Sequence, residues 1–125
     1  MARRKSPTLT DAELRLMEIL WDRGPSTVGD VAQGVSGKSP LAYTTVLTTL
    51  RILERKGYVK HQRKGRAFVY RPLIEKEQAQ SSAVRYMLSR FFGNSRELLL
   101  LRVLEDEKLD AGERERLKRM IEGSE

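Results

Sequence analysis

The groups that could do chemistry in this chain are few and of one kind. It has no cysteine and one histidine, His61. A lone histidine cannot build a metal site or a catalytic triad, and without thiolates neither a disulfide framework nor a Cys-based metal site can form. No nucleophile–base pair or phosphate-binding loop stands out, so no enzyme activity, cofactor or metal is expected. What recurs instead is hydroxyl and guanidinium groups at regular spacing. The stretch "AYTTVLTTLRILERKGYV" (42–59) carries Thr44, Thr45, Thr48 and Thr49, then Arg51 and Arg55. A threonine hydroxyl bonds to either kind of base edge, and its methyl packs on the thymine methyl. Arginine suits phosphates and guanine edges. The pattern therefore points to reading DNA.

The element that must position these groups is a helix. At about 100° per residue, Val46, Leu50 and Leu53 fall on one side, flanked by Tyr43 and Leu47, while Thr44, Thr48, Arg51 and Arg55 fall opposite. That outward face holds no carboxylate, because Glu54 points elsewhere. Thr49 lies near the buried side as a packing residue. β-Branched threonines lose χ1 freedom in a helix, and Lys or Glu would serve a merely solvated face better. Contact with DNA explains the local cost.

Two helices precede this one. "TDAE" (10–13) offers Thr10 as N-cap and Glu13 three residues on, a capping box. Leu14, Met17, Leu20 and Trp21 are then expected on one apolar face, with Trp21 a core residue. Gly24-Pro25 ends the helix. Thr27 caps a second helix, with Asp30 three residues on and Val28, Val31, Ala32 and Val35 as its buried stripe. "SGKSP" (36–40) is a turn by composition. After Lys56-Gly57 the period changes. "YVKHQR" and "RAFVY" are short, rich in β-formers and flank Lys64-Gly65, a hairpin signal, with Pro72 stopping the second strand. Phe68 and Tyr70 anchor that strand, and His61 is a surface residue of the hairpin or an occasional phosphate contact. Three helices followed by a basic hairpin predict a winged helix-turn-helix.

Charge divides the chain in the same way. Residues 1–71 hold 14 Lys/Arg against 6 Asp/Glu, a net +8, whereas residues 72–125 hold 10 against 11, a net −1. The excess sits where a polyanion would bind. Eight Lys/Arg and a single acid, Glu54, lie from Arg51 to Arg71. Arg55, Lys60, Arg63, Lys64 and Arg66 are the candidate phosphate and wing contacts. "ARRKS" near the N-terminus is an arm that touches DNA or a solvated tail. The longest apolar run, Leu98–Leu101, is too short to span a bilayer, and "MARRKSP" lacks the apolar segment of a secretory signal. A cytoplasmic, nucleoid-associated protein without membrane insertion is the expectation.

The rest reads as three more helices, from about Glu75 to Phe92, Ser95 to Asp106, and from Asp110 onward. Asp110 can cap the last, with Glu113 completing the box. Val84, Met87, Leu88, Phe91 and Phe92 line the first, and Leu117, Met120 and Ile121 the last. Leu98, Leu99, Leu100, Leu101, Val103 and Leu104 leave the middle helix apolar almost all round, so it needs cover on more than one side. About fifty residues make a meagre core alone, and a second copy of the chain is the simplest cover. The expected organisation is thus mainly α with a small β-hairpin wing. It comprises a flexible basic arm (1–8), a winged helix-turn-helix DNA-binding domain (9–73) and a three-helix dimerisation domain (74–125).

"LTDAELRLMEILWDRGPSTVGDVA", "AYTTVLTTLRILERKGYV" and "GRAFVYRPL" together resemble the penicillinase-repressor family of the BlaI/MecI type, which also includes copper-responsive CopY-type repressors. The resemblance covers nearly the whole chain. It implies a homodimeric repressor on a palindromic double-stranded operator, with C-terminal helices intertwined in the dimer. It matches Tyr43, Thr44, Thr45 and Thr48, with Arg51 behind them, to the base-reading positions, and Gly65-Arg66-Ala67 to the wing. Two departures stand out. The copper branch carries Cys-x-Cys pairs, which this chain lacks. In the β-lactam branch a membrane sensor metalloprotease leads to cleavage at an Asn-Phe bond, and here Arg102-Val103 stands at the approximate matching position. The competing reading from another class is a winged-helix protein-interaction module without specific DNA binding.

Overall fold

Two threonines start the first two helices, as their spacing requires. In the computed structural model, which describes residues 8–35 and 40–123, helix α1 (Asp11–Arg23) begins at Thr10 and α2 (Val28–Gly34) at Thr27. Each has a closed capping box: Thr10 Oγ1 accepts from Glu13 N at 3.1 Å and Glu13 Oε1 from Thr10 N at 2.9 Å, and Thr27 and Asp30 reciprocate in the same way. The basic arm falls almost wholly outside the described residues, as does most of the 36–40 turn.

Helix α3 (Tyr43–Lys56) buries Val46, Leu50 and Leu53 completely and Thr49 nearly so. It ends at Gly57, whose left-handed φ of 89° is costly for any residue with a Cβ. The wing follows as β2 (Val59–Lys64) and β3 (Ala67–Pro72), antiparallel, with Lys64 opposite Ala67 across a two-residue turn. Gly65 takes φ 62° there, the first-position glycine that twists a tight hairpin correctly.

A third strand completes the sheet. β1 (Ser26–Thr27) pairs with Tyr70 and Val69, so the order is β1-β3-β2. Two residues between Gly24-Pro25 and a helix cap show no alternation, which is why no periodicity announces this strand.

The core is one cluster built on Leu16, Met17, Leu20, Val31, Val46, Leu50, Leu53, Val59 and Tyr70, each 2% exposed or less. Leu14 departs from expectation. The buried stripe of α1 is Glu13, Leu16, Met17 and Leu20, and Leu14 stays 39% exposed. It sits about 100° off the middle of that stripe and lines a surface cavity of about 300 Å³ with Leu9, Trp21 and Tyr58. Trp21 is half-buried as a packing residue, and its indole N–H donates to Ile74 O at 2.8 Å.

The chain divides into two compact units, Met1–Ala83 and Val84–Glu125, with the division inside α4 (Lys76–Phe91). The second unit continues with α5 (Arg96–Leu104), capped by Ser95, and α6 (Ala111–Glu122), capped by Asp110. Among the described residues no helix is long and apolar enough to cross a membrane.

Candidate nucleic-acid interface

The face of α3 opposite its buried stripe is free of packing. Tyr43, Thr44, Thr45, Thr48, Arg51 and Arg55 are all exposed. Tyr43, expected beside Leu47 as a flank of the buried side, is instead 56% exposed, because it stands in the first turn of α3, before the core covers the helix. Thr49 turns inward, and its hydroxyl donates to Thr45 O at 2.7 Å, which satisfies a polar group near the core. The helix start is open in a way that α1 and α2 are not. Its N-cap is Ala42, which has no side-chain cap, and its first turn contains no acid. The positive end of the helix dipole, with its free N–H groups, suits an anion.

The wing sorts its cations onto two faces. Side chains alternate along a strand, so Val59, His61 and Arg63 share one face and Lys60, Gln62 and Lys64 the other. The register places Arg71 opposite Lys60 and Phe68 opposite Arg63. Lys60, Lys64 and Arg71 thus form one cationic face, continued by exposed Arg66 at the tip. Arg71 was not among the sequence candidates. Its place follows from cross-strand pairing, which no local window shows. Arg63 belongs to the other face. Its Nε donates to Gly65 O at 3.1 Å, and its guanidinium lies 6.0 Å from the Phe68 ring.

Two charged residues of this region are engaged within the fold. Lys56 Nζ donates to Glu13 Oε1 at 2.7 Å, tying the end of α3 to the start of α1. Glu54 turns away from the threonine face onto His61 of the wing, with Oε1 2.7 Å from Nδ1. Tyr70 sits behind them as an anchor of β3, 2% exposed. Burial pushes its phenol above the ordinary value of 10, with the Glu54 carboxylate adding to the rise and the Arg51 guanidinium opposing it. Phe68, the other expected anchor, remains 41% exposed and packs its ring edge-on to His61 at 5.1 Å.

In the second unit, Val84, Met87, Phe91, Leu100, Leu101, Met120 and Ile121 are exposed, and Leu98, Leu104 and Leu117 are half-buried. Leu88 differs from the rest in being 3% exposed within a single chain. A helix-borne row of hydroxyls and guanidinium groups, an uncapped helix start and a basic β-ribbon beside them define a winged-helix DNA-binding transcriptional regulator.

Comparison with known proteins agrees with that class. The chain matches the penicillinase repressor family over residues 9–123, and it belongs to that family. It is 29% identical over 119 residues to the penicillinase repressor of Bacillus licheniformis, covering 95% of this chain and 93% of the relative. The solution structure of the DNA-binding domain of the repressor BlaI superposes with a TM-score of 0.53 at 33% identity, over 61% of this chain and 93% of that one. A second solution structure is that of monomeric Bacillus licheniformis BlaI in complex with the blaP half-operator. It matches with a TM-score of 0.50 at 33% identity, again over 61% and 93% of the two chains. The family is one of transcriptional repressors, not enzymes, and a DNA-binding repressor is what this chain is.

Proposed function

We propose that the chain acts as a homodimer on a palindromic operator, each protomer gripping one half-site and the pair occluding a promoter. The observation that carries this reading is the division of α3 into a fully buried stripe and an exposed one of Thr44, Thr48, Arg51 and Arg55. Tyr43, Thr44, Thr45, Thr48 and Arg51 read base edges from the first turns of the helix. Arg55, Lys60, Lys64, Arg66 and Arg71 hold phosphates, which fix register without reading sequence. A phosphate also takes the open N-terminus of α3. Arg63, tied into its own turn, touches the backbone only at the wing tip. The repressor works in the cytoplasm, at the nucleoid.

Dimerisation rests on the apolar side chains that the second unit leaves exposed, Phe91 at 71% and Met120 at 68% foremost. Release by proteolysis under a membrane sensor metalloprotease is the induction route that goes with the family. Arg102-Val103 lies inside α5, where Arg102 pairs with Glu105 at 2.9 Å. A cut there requires that turn to open first.

The test is footprinting on DNA upstream of the protein's own gene, followed by titration of the protected site and of random DNA. Thr44→Ala or Thr48→Ala should reduce discrimination between the two by about 1–2 kcal/mol. Lys64→Ala and Arg71→Ala should weaken both equally. Binding should lose roughly 10³–10⁵ in affinity between about 50 and 200 mM salt if each dimer makes about six to ten phosphate contacts. A flat salt response, or no footprint from folded protein at low salt, overturns the reading in favour of a protein-interaction module.

A further inference from the structure

The one acid among the cations from Arg51 to Arg71 meets the one histidine of the chain. The Glu54 carboxylate straddles His61 Nδ1, with Oε1 at 2.7 Å and Oε2 at 2.9 Å. Oε2 also lies 3.4 Å from the His61 backbone N–H. The imidazole is steadied by two rings of β3, Phe68 at 5.1 Å and Tyr70 at 5.4 Å. Glu54 belongs to α3 and His61 to β2, so the contact joins the helix that reads DNA to the wing beside it. Neither side chain is buried, at 30% and 39% exposure, so solvent protons reach the pair.

The electrostatics of this contact are unusual for a phosphate-binding surface. With a neutral imidazole the pair carries one negative charge. With an imidazolium it carries none, and Nε2 changes from acceptor to donor. Nδ1–H donates to the carboxylate in both states, so the contact outlasts proton loss. Arg51 from α3 and Glu54 both act on the Tyr70 phenol of β3, and Arg63 shares the β2 face of His61. Guanidinium groups do not lose their proton in proteins, and burial raises the Tyr70 phenol above its ordinary value, so it stays neutral.

We propose that Glu54 and His61 are a positioning pair that holds the wing against the recognition helix, and that proton uptake by this pair tightens DNA binding. The inference rests on the reading of α3 and the wing as the DNA-binding surface. Glu54 is the single acid between Arg51 and Arg71, turned off the threonine stripe and onto the wing, and His61 neutralises it on protonation. The magnitude is that of one charge acting on nearby phosphates within a Debye length of about 8 Å, roughly three- to tenfold in affinity per protomer.

The test uses the full chain and a fluorescein-labelled random-sequence duplex at low salt, with affinity measured by anisotropy at about pH 7.5 and about pH 6. The wild type should bind roughly three- to tenfold tighter at the lower pH. His61→Gln should bind with the same affinity at both. Glu54→Gln keeps an acceptor for Nδ1–H but removes the charge, and at the higher pH it should bind as the wild type does at the lower. A His61→Gln profile that still follows the wild type overturns the inference, as does a Glu54→Gln variant no tighter than wild type at the higher pH. Equal weakening of both variants at both pH values also overturns it, since that is the signature of a purely structural contact. Failure of the folded wild type to bind the duplex at either pH removes the DNA-binding reading itself, a separate result.

Discussion

The two units of the chain solve the problem of apolar surface in opposite ways. In the first, a cluster of twelve apolar side chains from helices and sheet is exposed by no more than 6%. In the second, Leu88 is the only buried residue among the described ones, and seven large apolar side chains of its helices are 40% exposed or more. Both are rich in leucine, so leucine content does not account for the difference. The difference is layering. The first unit packs helices on one another and on a small sheet, which covers each apolar face. The second has three helices whose apolar surface exceeds what so few residues can cover. The first holds a polar surface on a closed core, and the second leaves its apolar surface uncovered within one chain.

Truncation in each unit gives the largest expected contrast. Leu50→Ala should cost about 2–5 kcal/mol in urea unfolding followed by tryptophan fluorescence. Phe91→Ala should change monomer stability by less than about 0.5 kcal/mol while lowering dimer content. Equal destabilisation by both would mean that the second unit has a closed core, and the comparison would fail.

A charge in the exposed apolar surface comes next. Leu101→Lys should raise the dimer dissociation constant by about tenfold or more, roughly 1.4 kcal/mol, in sedimentation velocity. An unchanged dimer would place the interface elsewhere. Within the first unit, Thr27→Ala should cost about 1 kcal/mol through loss of the α2 cap, read as a shift in the urea midpoint.

The smallest effect is on the alkaline side. Burial raises the phenols of both Tyr58 and Tyr70, with the carboxylates of Glu13 and Glu54 respectively adding to it. A raised folded-state value means that this contribution is fully present below the unfolded value of 10 and is lost as pH rises past it. Unfolding monitored from about pH 9 to 11 should show the first unit losing stability before any change in the helical signal of the second. Tyr70→Phe should shrink that loss.

Much of the candidate surface was legible from residue order. Thr44, Thr48, Arg51 and Arg55 fall on one stripe by arithmetic alone, and the structure leaves all four exposed. Capping boxes at Thr10 and Thr27 and the turn at Gly65 were legible for the same reason, since their bonds span three residues or fewer. Leu14 was misplaced because a helix projection gives relative angles and not the direction of the core. The strand at Ser26–Thr27 was missed because two residues have no period. Arg71 was missed because its partner, Lys60, faces it across the sheet.

The sequence by itself determined the helices and their caps, the hairpin, the two faces of α3 and the concentration of charge in the first half. Each is a property of neighbours within one or two turns of chain. Only the tertiary structure decided which polar side chains are engaged inside the fold. Lys56 reaches Glu13 across 43 residues, Trp21 reaches Ile74 across 53, and Glu54 meets His61 only because the wing folds back beside α3. Such contacts depend on where separate elements come to lie. That is set by the burial of Leu50, Leu53, Val59 and Tyr70 in one core, and local periodicity carries no record of it.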